Sequence, residues 1–276
     1  MRSLLKADFR RIFRDKLLLV MGILAVVFAA ITPLLYALIF SGTMEDGMAA
    51  DMLSGLVSAK TQFFSSFSMG NNLGLIAPVL LAIALCKDFS FGTVRNKIIA
   101  GKSRSAIFMS LFVTCSVVLV SVMLLHAFIT LGVSLIFFDY QATAFTLADF
   151  WYFLESLLFE ILALLFVSAM LSWLCAKAKN VGLVIVLYIA FVFILVLAGS
   201  IIQVVIAVME ASGGSQRTID ILRFIDRINV CNSAAYIGMG TGYNWKDVLY
   251  LTIPAITGIL GFVGLGLWKF NKKDLK

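Results

Sequence analysis

The chain alternates long uncharged runs with short charged ones. Leu17–Met44, Thr61–Cys86, Ser105–Phe138, Asn180–Met209 and Val248–Trp268 contain no Asp, Glu, Lys or Arg. A sixth run, about Tyr152–Ala176, is continuous once Glu155 and Glu160 are admitted to it. A hydrocarbon core of roughly 30 Å takes about 20 apolar residues of helix. The pattern therefore predicts six spans, at about 17–40, 63–86, 105–138, 152–176, 180–209 and 248–268, in one membrane domain covering 1–276. Ten-residue segments of alternating polarity, the mark of a membrane barrel, do not recur. The expected fold class is an all-α polytopic membrane protein with both termini on one side.

Three segments outside the spans have patterns of their own. In residues 1–16, Leu5, Phe9, Ile12 and Phe13 are spaced as one helical face among Arg2, Lys6, Arg10, Arg11 and Arg14. This predicts a helix lying on anionic lipid and leading into the first span; a simple basic flank is the other reading. Residues 87–104 (KDFSFGTVRNKIIAGKSR) place Phe91, Val94 and Ile98 on one face of a short helix. That face suits docking on another protein or packing on the chain's own helix ends. Residues 210–247 hold an amphipathic stretch, with Ile221, Leu222, Ile225 and Ile228 on one face, followed by a glycine-containing stretch (Gly238, Gly240, Gly242). A short helix and a partly re-entrant turn buried against protein are expected there.

Composition agrees with the pattern. The chain is 62% hydrophobic and 13% charged, with a mean hydropathy of +1.04. Soluble domains are about 45–50% apolar and about 25% charged, so a water-soluble enzyme is excluded. Three prolines and abundant aliphatic residues exclude disorder. Most of the 22 Lys and Arg fall on one side: Arg2–Lys16, Lys87–Arg104, Lys177 with Lys179, and Lys269–Lys276. The opposite loops hold Lys60, Arg217, Arg223, Arg227 and Lys246. The positive-inside rule then places both termini in the cytosol. The net charge of +7 is this bias rather than a nucleic-acid surface, since no basic domain hosts one. The first span is too long for a cleaved signal core. Cys86, Cys115, Cys175 and Cys231 show no CxxC spacing, and no disulfide or metal site is expected.

Candidate chemistry is sparse. Gly101-Lys102-Ser103 invites a phosphate-loop reading, but Asn96 stands where that motif needs glycine. If the protein works with ATP, another chain binds it. Ionisable groups inside spans are costly, which singles out Glu160 and His126. They read either as a proton-linked pair or as hydrogen bonds tying helices together. In the second span Gln62, Ser65, Met69 and Asn72 are spaced as one helical face; in the fifth, Gln203 is polar and Tyr188 and Phe191 share a face. These are candidates for a substrate path, with interhelical hydrogen bonding as the alternative. Gly258, Gly261 and Gly264 recur every three residues and predict close helix contact. One histidine and two helix-borne acids give little support to a membrane-embedded enzyme, and no catalytic residue is assigned.

The opening LLKADFRRIFRDK, followed by a long span, resembles the start of ABC-2 type transporter permeases. Asp88–Arg104 is similar to that family's cytosolic loop between its second and third helices. The resemblance extends in architecture over the whole chain, and most closely to the short permeases of Gram-positive bacteria tied to antimicrobial-peptide export or self-immunity. It implies a coupling helix resting on a separate cytosolic ATPase, with contact positions Asp88, Phe89, Gly92, Thr93, Arg95, Asn96 and Lys97. It also implies re-entrant helices before the sixth span and a second permease, identical or sibling. The chain itself would bind no cofactor, with ATP and Mg on the partner, and would sit in a bacterial plasma membrane. The alternative class is an ion-coupled secondary transporter or small channel using Glu160 and His126.

Overall fold

The computed structural model describes residues 2–41, 58–71, 73–138, 145–178, 180–239 and 242–272. Asn72, Lys179, Gly240, Lys273 and Lys276 lie outside them. Every regular element among the described residues is a helix: α1 (Arg2–Phe13), α2 (Lys16–Ser41), α3 (Ala59–Ser65), α4 (Ile76–Ser90), α5 (Thr93–Ile99), α6 (Arg104–Phe137), α7 (Leu147–Lys177), α8 (Val181–Ala211), α9 (Gln216–Ile228), α10 (Val230–Ala234) and α11 (Trp245–Lys272). α2, α6, α7, α8 and α11 are each long and apolar enough to cross a membrane, and α4 with α5, meeting at 48°, makes a sixth if the bent pair is one span. The chain is thus a multi-helix protein of membrane type.

α6 and α7 form the centre. Two thirds of the most apolar stretch of each is buried (67%), against 11% for α8 and 6% for α11. The buried hydroxyls of α6 satisfy themselves on the preceding turn: Thr114 donates to the Ser110 carbonyl at 2.7 Å, Ser116 to Phe112 at 2.9 Å and Thr130 to His126 at 2.9 Å. Such back-bonds let polar residues sit inside an apolar bundle. α7 starts on a capping box in which the Thr146 hydroxyl and the Asp149 carboxylate serve each other's backbone N–H. α2 meets α6 along the narrow stripe Met21, Ala25 and Ala29, while Leu19, Ile23 and Leu38 face outward. So much exposed apolar surface on α2, α8 and α11 suits lipid or another membrane chain. Trp151, Trp245 and Trp268 are all exposed, as residues of an interfacial belt would be.

The glycines of α11 pack differently from their three-residue spacing. A Cβ at Gly258 would overlap the Phe166 ring, and one at Gly266 the Phe108 ring, whereas Gly261 and Gly264 face open space. The close approach therefore follows Gly258 and Gly266, two turns apart, and brings α11 onto α7 and α6.

The residues expected as the second span do not form one continuous helix. α3 ends at Ser65, the chain turns, and α4 resumes at Ile76. The cause is local. Ser66 donates to the Phe63 carbonyl (2.6 Å) and Asn71 Nδ2 to Ser65 (3.2 Å), so side chains take carbonyls that a continuing helix needs, while Ser65 shares the Gln62 carbonyl (3.0 Å) with the Ser66 N–H. Ser68 instead donates to the Ala235 carbonyl after α10 (2.9 Å). Gly238, at φ +75°, lies so close to the Phe64 carbonyl that a Cβ would overlap it.

Candidate functional site

The bundle has two ends of different character. The basic end gathers α1, the C-terminal turn of α4, α5 and the start of α6. α1 is amphipathic, with Leu4, Asp8 and Ile12 buried; of the four apolar residues of the sequence pattern Ile12 is buried, Leu5 and Phe9 are half-buried and Phe13 is exposed. Asp8 is the feature the sequence reading missed. Its signal was available: it is the one acid in α1, spaced by four from both Leu4 and Ile12. One Asp8 oxygen pairs with Lys97 of α5, and the other accepts a 2.6 Å hydrogen bond from Ser110 of α6. Arg11 pairs with Asp88 at the end of α4, and Lys87 reaches Asp15 at 3.4 Å. Asp8 and Asp88 are each 1% exposed. Both carboxyl groups are taken out of water, a costly placement that the cation beside each offsets. The second pair is incompletely satisfied: Arg11 Nε and Nη2 and Asp88 Oδ2 are buried without a hydrogen-bond partner among the described residues.

α5 follows Gly92, whose φ of +70° opens the turn out of α4. Val94 is buried and Lys97 and Ile98 are half-buried, so this face packs on the chain itself. Phe91 (78%) and Ile99 (73%) are exposed, with Arg95 and Asn96 exposed between them. The expected face of Phe91, Val94 and Ile98 is therefore divided: Phe91 precedes the helix and points away, because Val94 and Ile98 fill the space beneath α5. Of the seven expected contact positions, Asp88 and Lys97 turn inward to α1. Phe89 packs edge-on against Phe270 of α11 at 6.1 Å, Gly92 and Thr93 are half-buried, and Arg95 and Asn96 face outward.

The expected path residues do not share one lumen. Gln62 is buried and accepts from Ser134 of α6 at 3.0 Å. Ser65 ends α3, and Met69 lies beyond it, so the helical spacing that joined them is interrupted. Tyr188 is fully buried and donates to the Gly74 carbonyl at 3.0 Å, while Phe191 contacts Phe262. Asn72 is outside the described residues. Gln203 lines an open cavity. Glu160 and His126 are both buried in the centre; His126 Nδ1 has no hydrogen-bond partner among the described residues, and no ion pair joins these two side chains among them. All four cysteines are free, with Cys86 and Cys175 sulfurs 3.3 Å apart. No group of three His, Cys, Asp or Glu side chains placed to hold a metal forms among the described residues.

The opposite end is built by α8, α9, α10 and α11. α9 runs back beside α8, so that Asn229 Nδ2 donates to the Leu195 carbonyl at 2.6 Å. That carbonyl is about 24 Å below the C-terminal end of α8 at 1.5 Å per residue. α9 carries Ile221, Phe224, Ile225 and Ile228 outward, exposed, and buries Ile219 and Asp226. The apolar face expected to lie against protein is thus the outer one, because the polar face is pinned inward by Asn229 and by Asn232, which bonds Asp226 at 2.5 Å. Between these helices lies an open cavity of about 600 Å³. No protein-family model matches the chain, and no curated protein is significantly similar to it in sequence.

Proposed function

We propose that the chain is the membrane-spanning subunit of an ATP-binding cassette exporter, with both termini and the basic end in the cytosol of a bacterial cell. On this reading α1 is the interfacial helix, α3 with α4 is the broken second span, and α9 with α10 is the re-entrant outer segment, giving six crossings. The observation that carries it is α5. One face is locked to α1 through Lys97 and Asp8, and the other leaves Phe91, Arg95, Asn96 and Ile99 bare. A seven-residue helix held this way is suited to pass a push from a docked protein into α1 and the spans. A separate cytosolic ATPase would supply the push, with ATP and Mg bound there. Nucleotide then acts through its different affinity for two arrangements of the pair. A second permease, identical or sibling, would cover exposed α8. The cargo class that fits the resemblance is an amphipathic peptide or lipid.

The test is co-purification from the native membrane in mild detergent with an ATPase assay. A P-loop ATPase is expected with the wild-type chain, and its loss with Arg95→Glu and with Ile99→Glu at unchanged membrane level. If the chain comes down alone, or both variants retain the ATPase, the docking assignment is wrong. The second reading, an ion-coupled carrier, draws on the burial of Glu160 and His126; proton-driven uptake abolished by Glu160→Gln would favour it.

A further inference from the structure

We infer that the cavity between α8, α9 and the start of α11 binds an amphipathic monocation, an ammonium or guanidinium carried on an apolar body. The inference goes beyond ATPase coupling, and shares with that reading only the placement of α9 within the outer half of the membrane.

One carboxylate is left over in the cavity. The cavity is lined by three carboxylates, Glu210, Asp226 and Asp247, and two guanidiniums, Arg223 and Arg227. Both guanidiniums are engaged. Arg223 pairs with Glu210 at 2.5 Å; Arg227 pairs with Asp247 at 3.2 Å and lies over the Tyr250 ring at 5.1 Å. Asp226 remains. It is 7% exposed and receives amide hydrogen bonds from Asn232 (2.5 Å) and Gln203 (3.5 Å). No Lys, Arg or His nitrogen lies within 4 Å of it among the described residues. Gln203 is level with it, about 12 Å below the end of α8. A carboxylate this buried, with amide partners but no cation, is costly. An arriving cation would recover that cost; an anion would meet Asp226 with no free guanidinium to receive it.

The neighbouring groups suit the rest of such a ligand. Gln203 Nε2 also donates to the Tyr236 hydroxyl at 2.7 Å, so one amide holds the carboxylate and the ring side by side. Tyr236 is 56% exposed and Met239 59%. A carboxylate beside an open aromatic ring is the usual recognition of ammonium and guanidinium groups. Ile206 and Leu251 continue the wall with apolar surface. A lipid ammonium headgroup and a water-borne amphiphile share this chemistry.

The probe is tritiated tetraphenylphosphonium, bound to the full chain in dodecyl maltoside and read by scintillation proximity. Tetraphenylborate, the same shape with opposite charge, is measured separately. Saturable binding of the cation is expected, with none of the anion. Asp226→Asn should weaken it by about tenfold and Tyr236→Leu by several-fold. If Asp226→Asn does not run as a monodisperse species, Tyr236→Leu and the contrast between the two ions decide the matter. Displacement of the probe by phosphatidylethanolamine but not phosphatidylglycerol supports a lipid ammonium as the source; displacement by neither supports a water-borne cation. Equal binding of both ions, no saturable binding, or unchanged affinity in both variants overturns the inference.

Discussion

The two ends of the bundle solve the same problem, several charges brought together beside apolar helices, in opposite ways. At the basic end Asp8 and Asp88 are closed over by cations from neighbouring elements and almost no carboxylate surface remains. At the other end the pairs Arg223–Glu210 and Arg227–Asp247 stay partly exposed around an open cavity, and one carboxylate is left over. A closed set of pairs fixes the elements it joins; an open set leaves electrostatic capacity for something outside the chain. The same residue types therefore form closed pairs between elements at one end and line an open cavity at the other.

The largest effect should come from breaking a closed pair. Asp8→Ala leaves the half-buried Lys97 without its carboxylate and Ser110 without its acceptor, and should cost about 3 kcal/mol, the low end for a broken buried pair. It would be read as a fall in the thermal unfolding midpoint of the detergent-solubilised protein. The exchange Asp8→Lys with Lys97→Asp should recover much of that loss; no recovery would show that the residues do not act as a pair. Next come the glycines. Gly266→Leu must displace Phe108 and should cost about 1–3 kcal/mol, as overpacking does. Gly261→Leu, facing open space, should leave the midpoint unchanged, and equal effects at the two sites would refute the packing of α11. Gly238→Ala combines a left-handed backbone with overlap on the Phe64 carbonyl, and should cost about 1–3 kcal/mol. The smallest effect belongs to the open end. Arg223→Ala removes a pair whose side chains are 48% and 46% exposed and should cost about 0–1 kcal/mol. A loss there as large as that of Asp8→Ala would erase the distinction between the ends.

How legible this was in the sequence varied with the kind of signal. The long runs in α2, α6, α7, α8 and α11 were plain, because burial in lipid demands uninterrupted apolar helix. The break between α3 and α4 was not. Ser66 and Asn71 carry no charge and leave the run uncharged, although their hydrogen bonds to nearby carbonyls end the helix. Asp8 escaped for the converse reason: an acid among arginines reads as surface until α5 is seen folding back over it. The glycine stripe of α11 misled because spacing states which residues share a face, while only the partner ring states which of them is touched. In α9 the amphipathic pattern was correct but its orientation was reversed, since periodicity does not say which side meets lipid. The path residues fared worst; shared helical spacing placed Gln62, Ser65 and Met69 together across a helix that stops at Ser65.

Gly92 sits at the root of α5 with open space where a side chain would be. Seven helical residues extend about 10 Å from it, which makes α5 a short crank arm on a single swivel. A 20° turn about that swivel carries Ile99 through about 4 Å by the same geometry. Lys97, five residues along the arm, moves about 2.6 Å in the same turn; it is paired with Asp8 of α1, whose chain runs into α2 after only Arg14 and Asp15. The arm is geared down: a displacement at the Ile99 tip would reach the Lys97–Asp8 pair, next to the foot of the first long helix, at roughly 70% of its size.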